Sequence, residues 1–140
     1  MADSSTPILE KLSDSEQTVE TPEEDVRGRK VADSDGNEIG KVDDLLIDAP
    51  ERKVRFLLVA HGGFLGFGET KSFVPVDAVT RVTEDRVFID QSRERVAEAP
   101  VYDPALTDEP DYYTSVYGFY GYPPFWGAGY VYPGFPFRPV

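Results

Sequence analysis

Apolar and polar positions alternate in short runs between residues 26 and 91. A period of two is typical of β-strands, and residues that favour turns separate the runs. The third run, residues 54–60, is apolar on nearly both faces, which predicts a central strand covered from two sides. We therefore predict strands that end at Ala32 and that cover residues 39–48, 54–60, 72–76, 80–83 and 86–90.

The segments between these runs have the chemistry that turns require. Residues 33–37 contain Asp, Gly and Asn, which tolerate positive φ or bond their own backbone, so the chain should reverse there. Gly40 interrupts the second strand, where glycine is typical of a bulge or a close approach of backbones. Short strands joined by hairpin loops predict a small all-β barrel of six strands, because closure hides strand edges.

Two short helical features follow from capping residues. Residues 77–79 predict a single turn, with Asp77 accepting backbone N–H groups. Residues 92–99 predict a short helix with Ser92 as its cap, and Pro100 ends it.

Charge divides the chain into three zones. The formal net charge is −12, and residues 1–25 carry −7 of it, whereas residues 26–103 carry only −3. We predict a disordered acidic leader over residues 1–25, a barrel domain with its short helix over 26–103, and a linker with an aromatic tail over 104–140. This balance disfavours nucleic acid as a partner, because phosphate binding needs a concentrated basic face.

The tail has an unusual composition. Residues 111–140 hold seven Tyr, four Phe and the single Trp, interleaved with five Gly and five Pro. Three interpretations remain: disorder with aromatic contacts, folding back over the barrel, or docking on a partner or a membrane surface. We favour disorder, since the prolines and glycines oppose a helix. The scarcity of basic residues disfavours the membrane surface.

The middle zone resembles the PRC-barrel family through an ordered series of segments. These are residues 26–31, 35–48, 53–59, the Gly-rich loop 62–69 and residues 74–79. The resemblance implies a six-stranded barrel that usually serves as a docking or assembly module, without a shared set of catalytic residues or a cofactor.

Several residues suggest chemistry, but no catalytic constellation can be assembled from them. Asp33, Asp35 and Asn37 alternate as in a calcium loop, yet Glu38 and Asp44 stand where that loop needs Gly and Glu. The chain has no Cys and one His, His61, without a nucleophile motif beside it. We therefore predict neither an enzyme nor a bound cofactor or metal.

The leading hypothesis is a cytoplasmic protein-interaction or assembly module whose partner is a protein, including a second copy of the chain. The N-terminus, which is acidic and polar, does not resemble a secretory signal. The alternative is a sensor of a small ligand or metal that uses the acidic region 33–48. The candidate partner-binding residues lie in the Gly-rich loop and in the tail: Phe64, Leu65, Phe67, Tyr120, Tyr122, Phe125, Trp126 and Tyr130.

Overall fold

The computed structural model describes residues 9–12, 25–48, 53–62, 70–103, 110–127 and 129–130. Among these residues the chain forms seven strands and two α-helices. The strands are β1 (Leu9–Lys11), β2 (Lys30–Ala32), β3 (Glu38–Asp48), β4 (Val54–His61), β5 (Thr70–Pro75), β6 (Val79–Val82) and β7 (Arg86–Ile89). The helices are α1 (Arg93–Glu98) and α2 (Pro110–Tyr120), and a 3₁₀ turn (Val76–Ala78) joins β5 to β6.

Six of the strands form one continuous sheet in the order β5-β4-β3-β2-β7-β6. All neighbours are antiparallel except β2 and β7, which pair in parallel. The two strands at the ends of this order, β5 and β6, are consecutive in the chain and separated only by the 3₁₀ turn. The sheet therefore curls toward closure, and the predicted small all-β, barrel-like fold is confirmed.

The central strand is β4, all eight residues of which are buried. It pairs with β3 on one edge and with β5 on the other, as its apolar sequence predicted. The prediction for Gly40 is also confirmed, because a Cβ atom there would lie 2.2 Å from the Ala60 carbonyl oxygen. Only glycine permits this approach of β3 to β4.

The leader contributes a strand that the sequence did not predict. β1 pairs antiparallel with residues 46–48 of β3, on the half of that edge which β2 leaves uncovered. Leu12 is 6% exposed and belongs to the core. Over residues 9–12 this corrects the expectation of disorder, because burial of apolar side chains offsets the entropy of ordering this short segment. Residues 1–8 and 13–24 lie outside the described residues.

The predicted helix after the barrel is present as α1. The Ser92 side chain caps it by accepting a hydrogen bond from the Arg95 backbone N–H at 3.1 Å. The prediction that Asp77 caps a turn was wrong in its detail. Pro75 holds the N-cap position of the 3₁₀ turn, and the Asp77 carboxylate instead accepts a hydrogen bond from the Tyr130 hydroxyl.

The first part of the tail forms α2, which corrects the expectation of disorder there. Proline is tolerated at the first position of a helix, and no other proline occurs before Pro123. Gly121, with φ at 83°, ends the helix as the Tyr122 N–H bonds the Tyr117 carbonyl oxygen at 3.0 Å. Tyr113 and Tyr117, each 1% exposed, pack into the barrel core. Residues 104–109, 128 and 131–140 lie outside the described residues.

Candidate partner-binding site

A buried ion pair marks the place where the tail meets the barrel. Asp48 is the last residue of β3, and Arg55 is the second residue of β4. The Arg55 Nε atom lies 2.5 Å from Asp48 Oδ2, and each side chain is 4% exposed. Charges so deeply buried require partners on every side, so the residues that cover this pair contribute directly to its stability.

Two aromatic residues of the tail cover the ion pair. The Arg55 guanidinium carbon lies 4.3 Å from the centre of the Phe125 ring and 6.0 Å from that of Tyr130. The Tyr130 hydroxyl donates a hydrogen bond of 3.0 Å to Asp77 Oδ2. Burial raises the pKa of the Asp77 carboxyl group, and this hydrogen bond opposes the shift. The segment after α2 is thus held by a cation–π contact and a polar anchor.

Five rings between residues 119 and 130 are half-buried, and we call them together the aromatic face: Phe119, Tyr122, Phe125, Trp126 and Tyr130. The Trp126 ring packs edge-to-face on Phe125 at 5.1 Å and on the buried Tyr117 at 5.8 Å. The Tyr122 hydroxyl bonds the Asp90 carboxylate. The Arg95 guanidinium carbon lies 4.2 Å from the centre of the Phe119 ring. Contacts with the barrel and α1 therefore fix the rings while leaving part of each exposed.

The structure brings four of the predicted partner-binding residues together on this face: Tyr122, Phe125, Trp126 and Tyr130. Tyr120 is not among them, because it is only 6% exposed and packs in the core. A half-turn of helix separates Tyr120 from the exposed side of α2, which the composition of the tail could not reveal. Phe64, Leu65 and Phe67 lie outside the described residues.

Sequence reasoning missed the charged residues that position the face, namely Asp48, Arg55, Asp77 and Arg95. A signal for one of them exists. Arg55 is the only charge in the apolar run 54–60, and a charge in a buried strand needs a paired carboxylate and a cover. Arg95 stands in a mixed polar segment, where nothing distinguishes it from a solvated residue, and the sequence predicted only a capping role for Asp77.

The acidic region 33–48 is divided among separate structural roles. The Asp33 carboxylate accepts hydrogen bonds from the backbone N–H groups of Asn37, at 2.9 Å, and Asp35, at 3.0 Å. The first of these bonds is the main reason why the pKa of Asp33 is lowered. This is the turn that the sequence predicted. Asp43 pairs with Lys71 at 3.0 Å, and the buried Asp44 accepts a hydrogen bond from the Leu45 N–H.

Metal-ligand geometry is absent from the described part of the chain, and the histidine there is buried. Within it, no three His, Cys, Asp or Glu side chains are grouped as metal ligands would be. His61 is 7% exposed, and its Nε2 atom lies 2.9 Å from the hydroxyl of Ser72, which is fully buried. This pair links β4 to β5 beneath the surface.

The sequence model of the PRC-barrel domain matches residues 23–96, just over half of the chain. The chain belongs to the PRC-barrel family. PRC-barrel domains are a fold of protein interaction and assembly. The matched range includes β2 to β7 and most of α1, whereas β1, α2 and the whole aromatic face lie outside it. Comparison with curated proteins found no match.

One further observation concerns membranes. No helix in the described ranges is long and apolar enough to cross a bilayer.

Proposed function

We propose that this PRC-barrel protein is a non-catalytic interaction or assembly module that binds a partner protein through the aromatic face. One observation carries the proposal: aromatic rings that are partly exposed are nevertheless held in place by residues of the barrel and α1. Arg55, Asp77 and Asp90 each contact a ring or a hydroxyl of the face.

Pre-ordered aromatic rings favour binding for a physical reason. Association costs free energy for each side chain that becomes immobilised, on the order of 0.5–1.5 kcal/mol. The packing of Trp126 between Tyr117 and Phe125 removes much of this cost before the partner arrives. Trp, Tyr and Arg are also the residues that dominate binding energies at protein interfaces.

The remainder of the described surface supplies little comparable apolar area. Val101 is the one large hydrophobic residue there that is mostly exposed, at 57%. Single apolar residues are normal on soluble proteins, whereas contiguous apolar patches indicate contact sites. The aromatic face is therefore the surface of the described chain best suited to a partner.

The proposal is tested by truncating rings of the face and measuring retention of partners. Immobilised full-length protein should retain specific proteins from a lysate, or soluble copies of itself. Trp126→Ala and Tyr122→Ala should each reduce this retention at least about tenfold, which corresponds to about 1.4 kcal/mol. Sedimentation velocity of the same variants separates self-association from binding of another protein.

A matched control lies in β7. Phe88 is also half-buried, and the Arg81 guanidinium carbon lies 4.3 Å from its ring centre, as Arg55 does from Phe125. Phe88→Ala should leave retention unchanged. Equal losses with Phe88→Ala, or no loss with the variants of the face, would contradict the proposal. Removing the whole tail is a poorer test, because Tyr113 and Tyr117 belong to the core.

A further inference from the structure

A cavity lies on the barrel beside the first residues of β2 and β7, the two strands that pair in parallel. It has a volume of about 500 Å³ and is lined by residues 25, 27–30 and 84–86. This volume is within the range of sites that bind small molecules. The lining residues belong to the barrel and not to the aromatic face, so the cavity is a second candidate site with chemistry of its own.

Both walls of the cavity are held in place by backbone hydrogen bonds. Gly28, with φ at 87°, turns the chain at one wall, and its N–H donates to the Val42 carbonyl oxygen at 2.8 Å. The Val42 N–H in turn donates to the Arg29 carbonyl oxygen at 2.9 Å. The Lys30 N–H donates to the Asp85 carbonyl oxygen at 3.1 Å, which joins the two walls. The cavity is therefore formed before a ligand arrives, and this lowers the free-energy cost of binding.

Four basic side chains line the cavity, and two of them already have carboxylate partners. The Arg27 guanidinium donates two hydrogen bonds to Asp25, at 2.8 Å and 2.6 Å. These bonds are the main reason why the pKa of Asp25 is lowered. The Lys30 ammonium lies 3.6 Å from the Glu38 carboxylate, and both side chains are exposed. The charge of Arg27 is thus largely compensated within the chain, and that of Lys30 in part.

The other two basic residues, Arg29 and Arg86, are half-buried. The Arg29 Nη1 atom donates a hydrogen bond of 2.8 Å to the Thr83 carbonyl oxygen, which is a neutral partner. In the described ranges, neither guanidinium forms an ion pair with a carboxylate. The strand register also places Arg86 opposite Lys30, and like charges at opposite positions of a ladder repel each other. An anion in the cavity would offset this repulsion.

The acidic side chains of the lining restrict the kind of anion. Asp25, Glu84 and Asp85 reduce the formal charge of the lining to +1, whereas nucleic acid needs a concentrated basic face. A small ligand with both an anionic group and hydroxyl groups suits such a lining, because carboxylates accept hydrogen bonds from hydroxyls. A phosphate group offers three terminal oxygens and can bind two guanidinium groups at once, for which a carboxylate group has fewer acceptors.

We infer that this cavity binds a small phosphate ester that carries hydroxyl groups, of which a sugar phosphate is the simplest example. Arg29 and Arg86 hold the phosphate group, and Glu84 and Asp85 accept hydrogen bonds from the hydroxyl groups. The inference goes beyond the proposed function, since it concerns other residues and another class of ligand.

Isothermal titration calorimetry of the full chain with ribose 5-phosphate tests the inference. The sugar phosphate should bind saturably at one site per chain, and added salt should weaken the binding because it screens charges that are partly exposed. Inorganic phosphate should bind roughly tenfold more weakly, because it lacks the hydroxyl groups of the sugar. Ribose, which lacks the phosphate group, should not bind at the same concentrations.

Arg86→Gln is the decisive variant, because the hydrogen bonds between Arg86 and Thr83 use the backbone of Arg86 and remain in place. It should weaken the binding of ribose 5-phosphate at least about tenfold, since it removes a hydrogen bond between two charged groups. Arg29→Gln should have the same effect. Arg81→Gln is the matched control: Arg81 is an exposed arginine of β6 outside the lining, and its loss should leave the affinity unchanged. Far-ultraviolet circular dichroism checks that each variant is folded.

The outcomes are distinct. Equal affinity of Arg86→Gln and the unaltered chain would overturn the inference, as would a lack of saturable binding of ribose 5-phosphate. Inorganic phosphate that binds as tightly as the ester would remove the role of the carboxylates and overturn the assignment to an ester. The proposed function is tested separately, by the effect of Trp126→Ala on partner retention.

Discussion

The barrel and the tail build their buried surfaces from different side chains. The buried residues of β3 and β4 are mainly Val, Leu, Ile and Phe, whereas α2 buries four tyrosines: Tyr112, Tyr113, Tyr117 and Tyr120. Aliphatic residues bring no polar atoms that need partners, but each buried tyrosine brings a hydroxyl. That of Tyr120 has no hydrogen-bond partner among the described residues. Docking of the tail therefore combines a large apolar gain with the polar cost of burying these hydroxyls.

A second difference is that the family match covers the barrel but neither β1 nor the tail. Both additions cover places that the six-stranded sheet leaves open. β1 pairs with the free half of the β3 edge, and α2 packs its tyrosines on Phe56 and Phe73. The additions thus cover surfaces of the barrel, and the tail leaves the aromatic face partly exposed.

The largest expected effect tests whether the two regions form one cooperative unit. Tyr117→Ala removes a fully buried ring that lies 4.9 Å from the Phe56 ring centre. It should lower the free energy of unfolding by about 4 kcal/mol, as large aromatic deletions in cores do. Urea denaturation followed by circular dichroism measures the change. Tyr117→Phe is the control and should change the stability by less than about 1 kcal/mol, because it keeps the buried ring and removes only the hydroxyl.

A double-mutant cycle that combines Tyr117→Ala with Phe56→Ala measures directly how strongly the tail is coupled to the barrel. The two rings should show a coupling of about 0.5–1.5 kcal/mol, the usual value for an aromatic pair in contact. A coupling of zero, together with two separate unfolding transitions, would mean that α2 and the barrel unfold independently. The single core described above would then be wrong.

The second-largest expected loss of stability comes from breaking the ion pair beneath the aromatic face. Asp48→Ala leaves the Arg55 guanidinium buried without the carboxylate that lies 2.5 Å away. It should cost about 3 kcal/mol, because a buried charge that loses its ion-pair carboxylate is strongly destabilised. Asp43→Ala is the matched control, since its pair with Lys71 is exposed and should contribute less than about 1 kcal/mol. Similar costs for both variants in thermal or urea unfolding would contradict the assigned burial.

The barrel could be predicted from the sequence because its local signals agree with one another. Alternation marked the strands, Asp33 and Gly36 marked the turn, and Gly40 marked the close approach of β3 to β4. Each signal acts over a few residues, which is the range that a single sequence reveals. β1 was missed because its three residues gain stability only from the distant edge of β3.

The tail could not be predicted for a related reason. Its glycines and prolines were interpreted as opposing a helix, yet Pro110 begins α2 and Gly121 ends it. Their positions, rather than their number, decide the structure. The candidate site was predicted in part, since composition identified Tyr122, Phe125, Trp126 and Tyr130. It could not identify Arg55 and Asp77, whose roles depend on contacts between residues far apart in the chain.

A titration at high pH tests whether the tyrosines of the tail ionise at a higher pH than solvated tyrosines do. Burial raises the pKa of Tyr112 from its usual value of 10 to about 12, and burial also raises the pKa values of Tyr117, Tyr120, Tyr122 and Tyr130. The unfolded chain then loses protons before the folded one does. Stability should be complete below pH 10 and should fall as the pH rises toward 12.

Phenolate absorbance and near-ultraviolet circular dichroism, recorded together, check this expectation. Most phenolates should appear in a late, cooperative step that coincides with the loss of the aromatic dichroism. Phenolates that all appear near pH 10 while the dichroism persists would show that the tyrosines of the tail are solvated. The tyrosines of the tail would then titrate like those of an unstructured peptide, and the tail would not be docked on the barrel.

The smallest effect separates an anchoring hydroxyl from an unpartnered one. Tyr130→Phe removes the donor to Asp77 Oδ2, and the other oxygen of that carboxylate, Oδ1, has no hydrogen-bond partner among the described residues. The variant should cost about 1–2 kcal/mol, since it leaves a half-buried carboxylate unsatisfied. Tyr120→Phe removes a buried hydroxyl that has no hydrogen-bond partner in the described part of the chain, so it should be neutral or slightly stabilising. The two substitutions delete the same atom and differ only in its surroundings. If urea unfolding gave equal costs for both, the hydrogen bond to Asp77 would not anchor the segment after α2, and the order of the aromatic face would depend on ring packing alone.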